Sequence, residues 1–167
     1  AGKSTLVEVL SGRRPPESGQ RLLSPSVRIA LVPQQGGLEH GDSLPVDLVC
    51  QAGGCSQQDA RLVLGTLGIG EDLAFQRMGI LSAGQQKRVL IATLVAGKPD
   101  LLVIDELEGG LDLDAVTGVE QALCTFDGAL VMVTHDTALA QSVGEHFMTL
   151  DGAGGWSMES PFGQASP

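Results

Sequence analysis

Three short stretches of this 167-residue chain carry residue types suited to phosphate chemistry. Gly2-Lys3-Ser4-Thr5 stands at the start, Asp105-Glu106 ends an apolar run in the middle, and His135 ends a later one. A glycine lets backbone N–H groups curl toward phosphate oxygens, and a helix starting there aims its positive end at them. Lys3 adds a cation that reaches β- and γ-phosphates, and the Ser4 hydroxyl can ligate Mg2+. Two adjacent carboxylates suit a divided task. Asp105 would hold Mg2+, directly or through water, and Glu106 would orient and polarise an attacking water. Each stretch also has a plainer alternative: an exposed helix start, a strand end facing solvent, or a structural histidine.

These residues can meet only if the fold brings them to one edge. Residues 101–104, Leu-Leu-Val-Ile, form a short apolar run of the kind buried inside a parallel sheet. Residues 27–32 and 129–134 suit two further strands, and 146–150 a fourth. Helices are expected over the first ten residues after the glycine turn, over 82–95, over 113–123 and near 137–142. Between about 37 and 95 apolar residues recur at helical intervals broken by glycines, which predicts a small helical subdomain. The glycine- and serine-rich tail beyond Asp151 is expected to fray, with Trp156 as a residue able to pack. The alternation predicts one α/β domain over 1–167, with a mostly parallel sheet flanked by helices. In such sheets ligands sit at the carboxyl ends of strands, where Asp105-Glu106 and His135 fall. Gly2-Lys3-Ser4-Thr5 matches the end of a P-loop (Walker A), and the strand ending in Asp105-Glu106 matches Walker B. The usual first glycine of the P-loop would precede residue 1, so the chain is expected to begin inside that loop.

Composition narrows the classes. A 43% hydrophobic and 18% charged composition is globular. The formal charge of −10 argues against broad attraction to nucleic acid. No run of 18 apolar residues is present, so no membrane insertion is expected. Three cysteines without metal-ligand spacing predict reduced thiols and a cytoplasmic location.

Leu81-Ser82-Ala83-Gly84-Gln85-Gln86-Lys87-Arg88 resembles the signature motif of ATP-binding cassette proteins, with Ala83 in place of the first glycine of Leu-Ser-Gly-Gly-Gln. Ser82 with Gln85 three residues on is also a capping box, and both readings hold together. Val32-Pro33-Gln34 resembles the Q-loop, Gly110-Leu111-Asp112 the D-loop, and Val133-Thr134-His135-Asp136 the switch histidine. Asp112 also suits a plain helix N-cap. The resemblance implies a P-loop NTPase that binds ATP and Mg2+ and hydrolyses ATP while paired with a second cassette. It implies nucleotide contacts from Gly2, Lys3, Ser4, Thr5 and Gln34, and Mg2+ contacts from Ser4, Gln34 and Asp105. Glu106 and His135 would be catalytic. Ser82, Ala83, Gly84 and Gln85 would reach a nucleotide held by the partner, and Asp112 would cross to it.

Two intervals bear on the branch of the family. Lys3 to Gln34 spans only 31 positions, and Gln34 to Ser82 spans 48 without a long insertion. The first is similar to the F subfamily, whose paired cassettes act on the ribosome in translation regulation or antibiotic resistance, and the missing insertion in the second suits that subfamily's second, C-terminal cassette. The alternatives are the motor subunit of a membrane transporter, whose partner is a permease, and a weakly hydrolysing nucleotide-binding module. Leu107 stands where the family usually has proline, and Glu108-Gly109-Gly110 where the F subfamily has Thr-Asn-His. These changes are expected to loosen the D-loop. The isolated 167-residue chain is expected to bind ATP weakly.

Overall fold

The computed structural model describes residues 2–33, 41–106, 113–150 and 155–159. Gln34 and Asp112, two of the expected site residues, lie outside them, as do the Leu107 and Glu108-Gly109-Gly110 departures.

A three-stranded parallel sheet organises the molecule. Its strands are β1 (Ile29–Val32), β2 (Leu101–Asp105) and β3 (Ala129–Val133), in the order β1-β2-β3. Val32 pairs with Ile104, and Asp105 with Val133, so the carboxyl ends of all three strands lie level on one edge. The middle strand is apolar on both faces, and Leu102, Val103 and Ile104 are fully buried. Parallel neighbours need long crossovers. β1 returns to β2 through the helices α2 (Pro45–Gly53), α3 (Gln57–Thr66), α4 (Glu71–Ala74) and α5 (Ala83–Ala96), and β2 returns to β3 through α6 (Leu113–Cys124). β1 begins two residues later than the apolar run suggests. The Val27 N–H is turned back onto the Ser24 carbonyl, and the Arg28 N–H is held by the Asp100 carboxylate at 2.8 Å.

In the interval 37–95, where a helical subdomain is expected, the described residues form α2 to α5 and one 3-10 turn, Met78–Ile80. Pro45 stands at the start of α2, where its missing N–H costs nothing. Capping boxes start α3 (Ser56 with Asp59) and α5 (Ser82 with Gln85). Val49, Leu64 and Ile91 from these helices share one core with Leu102 and Ile104 of the sheet. The helices are therefore packed onto the same core that fixes β2.

Before the sheet comes α1 (Lys3–Ser11); after it come α7 (Thr137–Val143) and an antiparallel ribbon of β4 (Phe147–Leu150) and β5 (Trp156–Glu159). The expectation of a frayed tail with a packed tryptophan fails for residues 156–159. They pair with β4, Leu150 facing Trp156 and Met148 facing Met158, which bonds the backbone groups on the β4 side. Trp156 is 66% exposed.

Candidate functional site

α1 begins at the carboxyl edge of the sheet. Gly2 adopts φ +108, a left-handed conformation that glycine adopts freely, and so turns the chain into the helix. No side chain caps this N-terminus, so the first-turn N–H groups are not closed off by the protein's own residues. Lys3 is half-buried, and Ser4 and Thr5 are exposed. Lys3 Nζ lies 3.1 Å from His135 Nε2, and the same nitrogen lies 3.4 Å from Glu106 Oε1. Residues 132 positions apart in sequence thus form one row across the edge. That nitrogen serves one neighbour at a time. As an acceptor it receives a hydrogen bond from Lys3 Nζ, and as a donor it faces Glu106.

Asp105 is 8% exposed at the end of the central strand. Burial pushes its carboxyl above the ordinary carboxylate range, and the adjacent Glu106 adds to the shift. The Ser4 hydroxyl beside it and the Lys3 charge pull the other way. Its Oδ1 is buried with no hydrogen-bond partner among the described residues. A buried, unsatisfied carboxylate oxygen beside a hydroxyl is the chemistry of a hard-cation site, so the donors present fit Mg2+.

Glu106 has φ +54, a left-handed conformation uncommon outside glycine, asparagine and aspartate. Its N–H donates to the Val133 carbonyl at 3.0 Å. Its own carbonyl accepts from Lys87 Nζ at 2.6 Å, a charge-assisted bond reaching across from α5. Its side chain is 28% exposed, so it can meet both the row and solvent. His135 follows β3 directly, and Asp136 next to it caps α7 by accepting from the N–H groups of Ala138 and Leu139 at 2.8 and 3.1 Å. The cap fixes the chain just beyond the histidine.

Of the residues singled out from sequence, Lys3, Ser4, Asp105, Glu106 and His135 are brought together, with Gly2 and Thr5 flanking them. The second set lies at the start of α5. Ser82 and Ala83 are exposed, Gly84 is buried and Gln85 is partly buried. Here the N-terminus is closed by its own residues: the Ser82 N–H donates to Gln85 Oε1 at 2.9 Å, and the Gln85 N–H to Ser82 Oγ at 3.3 Å. The residue that sequence reasoning quoted without a role is Lys87. Its helical phase, five residues beyond Ser82, gave no sign that it reaches the Glu106 carbonyl. A cavity of about 410 Å³ lies at the other end of the sheet, against Lys98, Asp100 and Phe126, away from this chemistry.

Comparison with known proteins agrees with this geometry. The family model described as ABC transporter matches residues 1–108. The chain is 39% identical over 154 residues to ABC transporter F family member 3 of Arabidopsis thaliana, covering 90% of this chain and 22% of that protein. It is 38% identical over 149 residues to the zinc import ATP-binding protein ZnuC of Vibrio parahaemolyticus, covering 85% of this chain and 56% of that one. The chain thus spans from about a fifth to just over half the length of these relatives. Among solved structures, a dimeric post-hydrolysis state of the ATP-binding cassette MJ0796 bound to ADP and Pi superposes with a TM-score of 0.76. That match has 24% identity and covers 98% of this chain and 82% of that one. It shows the expected fold, an α/β P-loop NTPase with a parallel sheet flanked by helices. Among the described residues no helix is long and apolar enough to cross a membrane.

Proposed function

The chain belongs to the ABC transporter family of ATPase domains, and from that premise we propose that it binds Mg·ATP at the carboxyl edge of its sheet and hydrolyses it. The observation that carries this is the Lys3–His135–Glu106 row beside the Ser4–Asp105 pair. The open α1 N-terminus and the Lys3 ammonium receive the phosphates. A phosphate arriving there takes the Lys3 donors from His135 and brings the γ-phosphate up to that ring. Ser4 and Asp105 hold Mg2+, joined by Gln34. When bound, the ion neutralises developing charge on the phosphate oxygens. Glu106 orients and polarises the attacking water, with its carboxylate aimed by a backbone that Lys87 and Val133 hold.

A second cassette is the proposed partner. Ser82, Ala83, Gly84 and Gln85 would contact the nucleotide held by that partner, and Asp112 would lie between the two. To reach a γ-phosphate, Gln85 and Ser82 must open the capping box that now joins them. The F-subfamily reading, with the ribosome as partner, is favoured by the short Lys3–Gln34 interval and by the Arabidopsis relative. A transporter motor that works with a membrane permease is the second reading, favoured by the zinc import relative. Co-purification of tagged protein with ribosomes or with a permease separates them.

The test of the common core is Glu106→Gln. It keeps the shape and removes the polarising charge, a loss that typically costs about 3–4 kcal/mol in the barrier. In the complete protein, turnover is expected to fall about 100-fold or more while Mg·ATP binding persists. Unchanged turnover would overturn the assignment. Lys3→Ala should instead weaken ATP binding, read by calorimetry, and an unchanged affinity would remove the phosphate site.

A further inference from the structure

The helical layer holds two cysteines that the ATPase reading leaves unused. α2 ends at Gly53, and Gly54 adopts φ +60 with its N–H bonded to the Cys50 carbonyl. The next residue, Cys55, also donates its N–H to the Cys50 carbonyl, at 3.3 Å. This is a Schellman-type helix end, which turns the chain back so that the second residue past the helix packs on the side chain five positions earlier. Both of those residues are cysteines here. The turn brings the two thiols onto the same side of the helix end, and Cys55 Sγ reaches the Val49 carbonyl at 3.8 Å.

Gly53 makes the site compact. A Cβ there would lie 3.1 Å from the Ala96 carbonyl oxygen and 3.4 Å from Cys55 Sγ, so α5 and the Cys55 thiol both press against bare backbone. The third cysteine, Cys124, stands apart on α6, is exposed, and hydrogen-bonds to the Ser142 carbonyl.

We propose that Cys50 and Cys55 form a redox-responsive dithiol site, which closes to an intramolecular disulfide when it meets a low-molecular-weight disulfide. One cysteine thiolate attacks a sulfur of glutathione disulfide, forming a mixed disulfide and expelling one glutathione thiolate. The neighbouring thiol then attacks the protein sulfur of that mixed disulfide, forms the Cys50–Cys55 bond and expels the second glutathione. The pair loses two electrons and two protons, and one glutathione disulfide becomes two glutathione thiols. The second step outruns the reverse reaction because the neighbouring thiol acts at an effective concentration on the order of mM or higher without diffusing. Burial, the Cys55 thiol and the carboxylates of Asp47 and Asp59 push the Cys50 thiol up, which lowers its thiolate fraction at neutral pH.

The experiment equilibrates the folded chain in glutathione buffers of increasing oxidised fraction, quenches with an alkylating agent and reads the intact mass and the peptide spanning residues 29–61. No lysine or arginine lies between Arg28 and Arg61, so that one tryptic peptide carries both cysteines. The expected product lacks two hydrogens in the 29–61 peptide, carries no glutathione there, and bears a glutathione on Cys124. Cys50→Ala should leave Cys55 with a stable glutathione adduct, and Cys55→Ala should do the same for Cys50. The midpoint for pair closure should fall at least tenfold below that for the Cys124 adduct, in oxidised-to-reduced ratio. A stable adduct on the wild-type pair overturns the proposal. So does full alkylation of both thiols where Cys124 is already modified, or a disulfide to Cys124 that survives in either single variant.

Discussion

The two ends of β2 carry the same parts and use them differently. At each end stands an aspartate, Asp100 just before the strand and Asp105 at its last residue. At each end stands a left-handed non-glycine residue, Lys98 with φ +46 and Glu106 with φ +54. In both cases a cation from another element accepts the strain by donating to that residue's carbonyl, Arg28 to Lys98 and Lys87 to Glu106. The backbone is therefore stapled at both ends. The carboxylates diverge. Asp100 accepts from the Arg28 N–H at 2.8 Å, faces its guanidinium at 3.5 Å, and its carboxyl is lowered by those contacts. Asp105 is buried, has an unpartnered oxygen, and its carboxyl is raised. At one end the carboxylate is paired with a cation of the chain, and at the other a carboxylate oxygen has no partner among the described residues. Functional edges of a sheet can thus be told from structural ones by which carboxylate is left unsatisfied, rather than by which end is strained.

The largest effect should come from the incomplete end. Lys87→Met keeps the aliphatic stem and removes the donor that holds the Glu106 carbonyl. It should lower turnover by about tenfold or more, since a charge-assisted bond is worth about 1.5–3 kcal/mol. ATP affinity should stay unchanged, and Lys87→Arg should recover part of the rate. An equal loss in affinity, or no loss at all, would break the parallel between the two staples.

Next in size is Asp105→Asn. A carboxyl raised in the folded state binds its proton more tightly than in the unfolded chain. Its stability contribution is therefore greatest at low pH and is lost as pH rises through the raised value. Asparagine escapes that loss, so the variant should melt higher than wild type at neutral pH, with the difference vanishing well below the ordinary aspartate value of about 3.9, where the carboxyl is protonated in both states. Excess Mg·ATP should reverse the order, because only the wild type offers the carboxylate. The smallest effect is Asp100→Asn. A lowered carboxyl contributes stability above its ordinary value and loses it as pH falls through the lowered one. The variant should melt slightly lower at neutral pH, with the difference gone in acid.

Much of this was readable in the residues, where local chemistry decided the outcome. The unbroken apolar run ending in Asp105-Glu106 announced a buried central strand, and Ser82 with Gln85 announced the start of α5. Only half of the ribbon announced itself: residues 146–150 read as a strand, and residues 156–159 did not. Trp156–Glu159 is exposed along its whole length, so it shows no alternation of burial, and only its pairing with β4 makes it a strand. β1 began late because Arg28 is claimed by Asp100, 72 positions away, a contact no local pattern reports. The Lys87 staple was hidden for the same reason. The sequence could name the carboxylates at Asp105 and Glu106, but only the tertiary fold shows that Asp105 is left unsatisfied while Asp100 is not.

The most direct measurement is a carboxyl-carbon NMR titration of Asp105 and Asp100 in one sample, with and without Mg·ATP. The account predicts that Asp105 titrates above Asp100 in the free protein. On adding Mg·ATP, Asp105 should move sharply downward while Asp100 stays in place. Asp105 titrating at or below Asp100, or standing still when Mg·ATP is added, would contradict the claim that this edge is built to receive a cation.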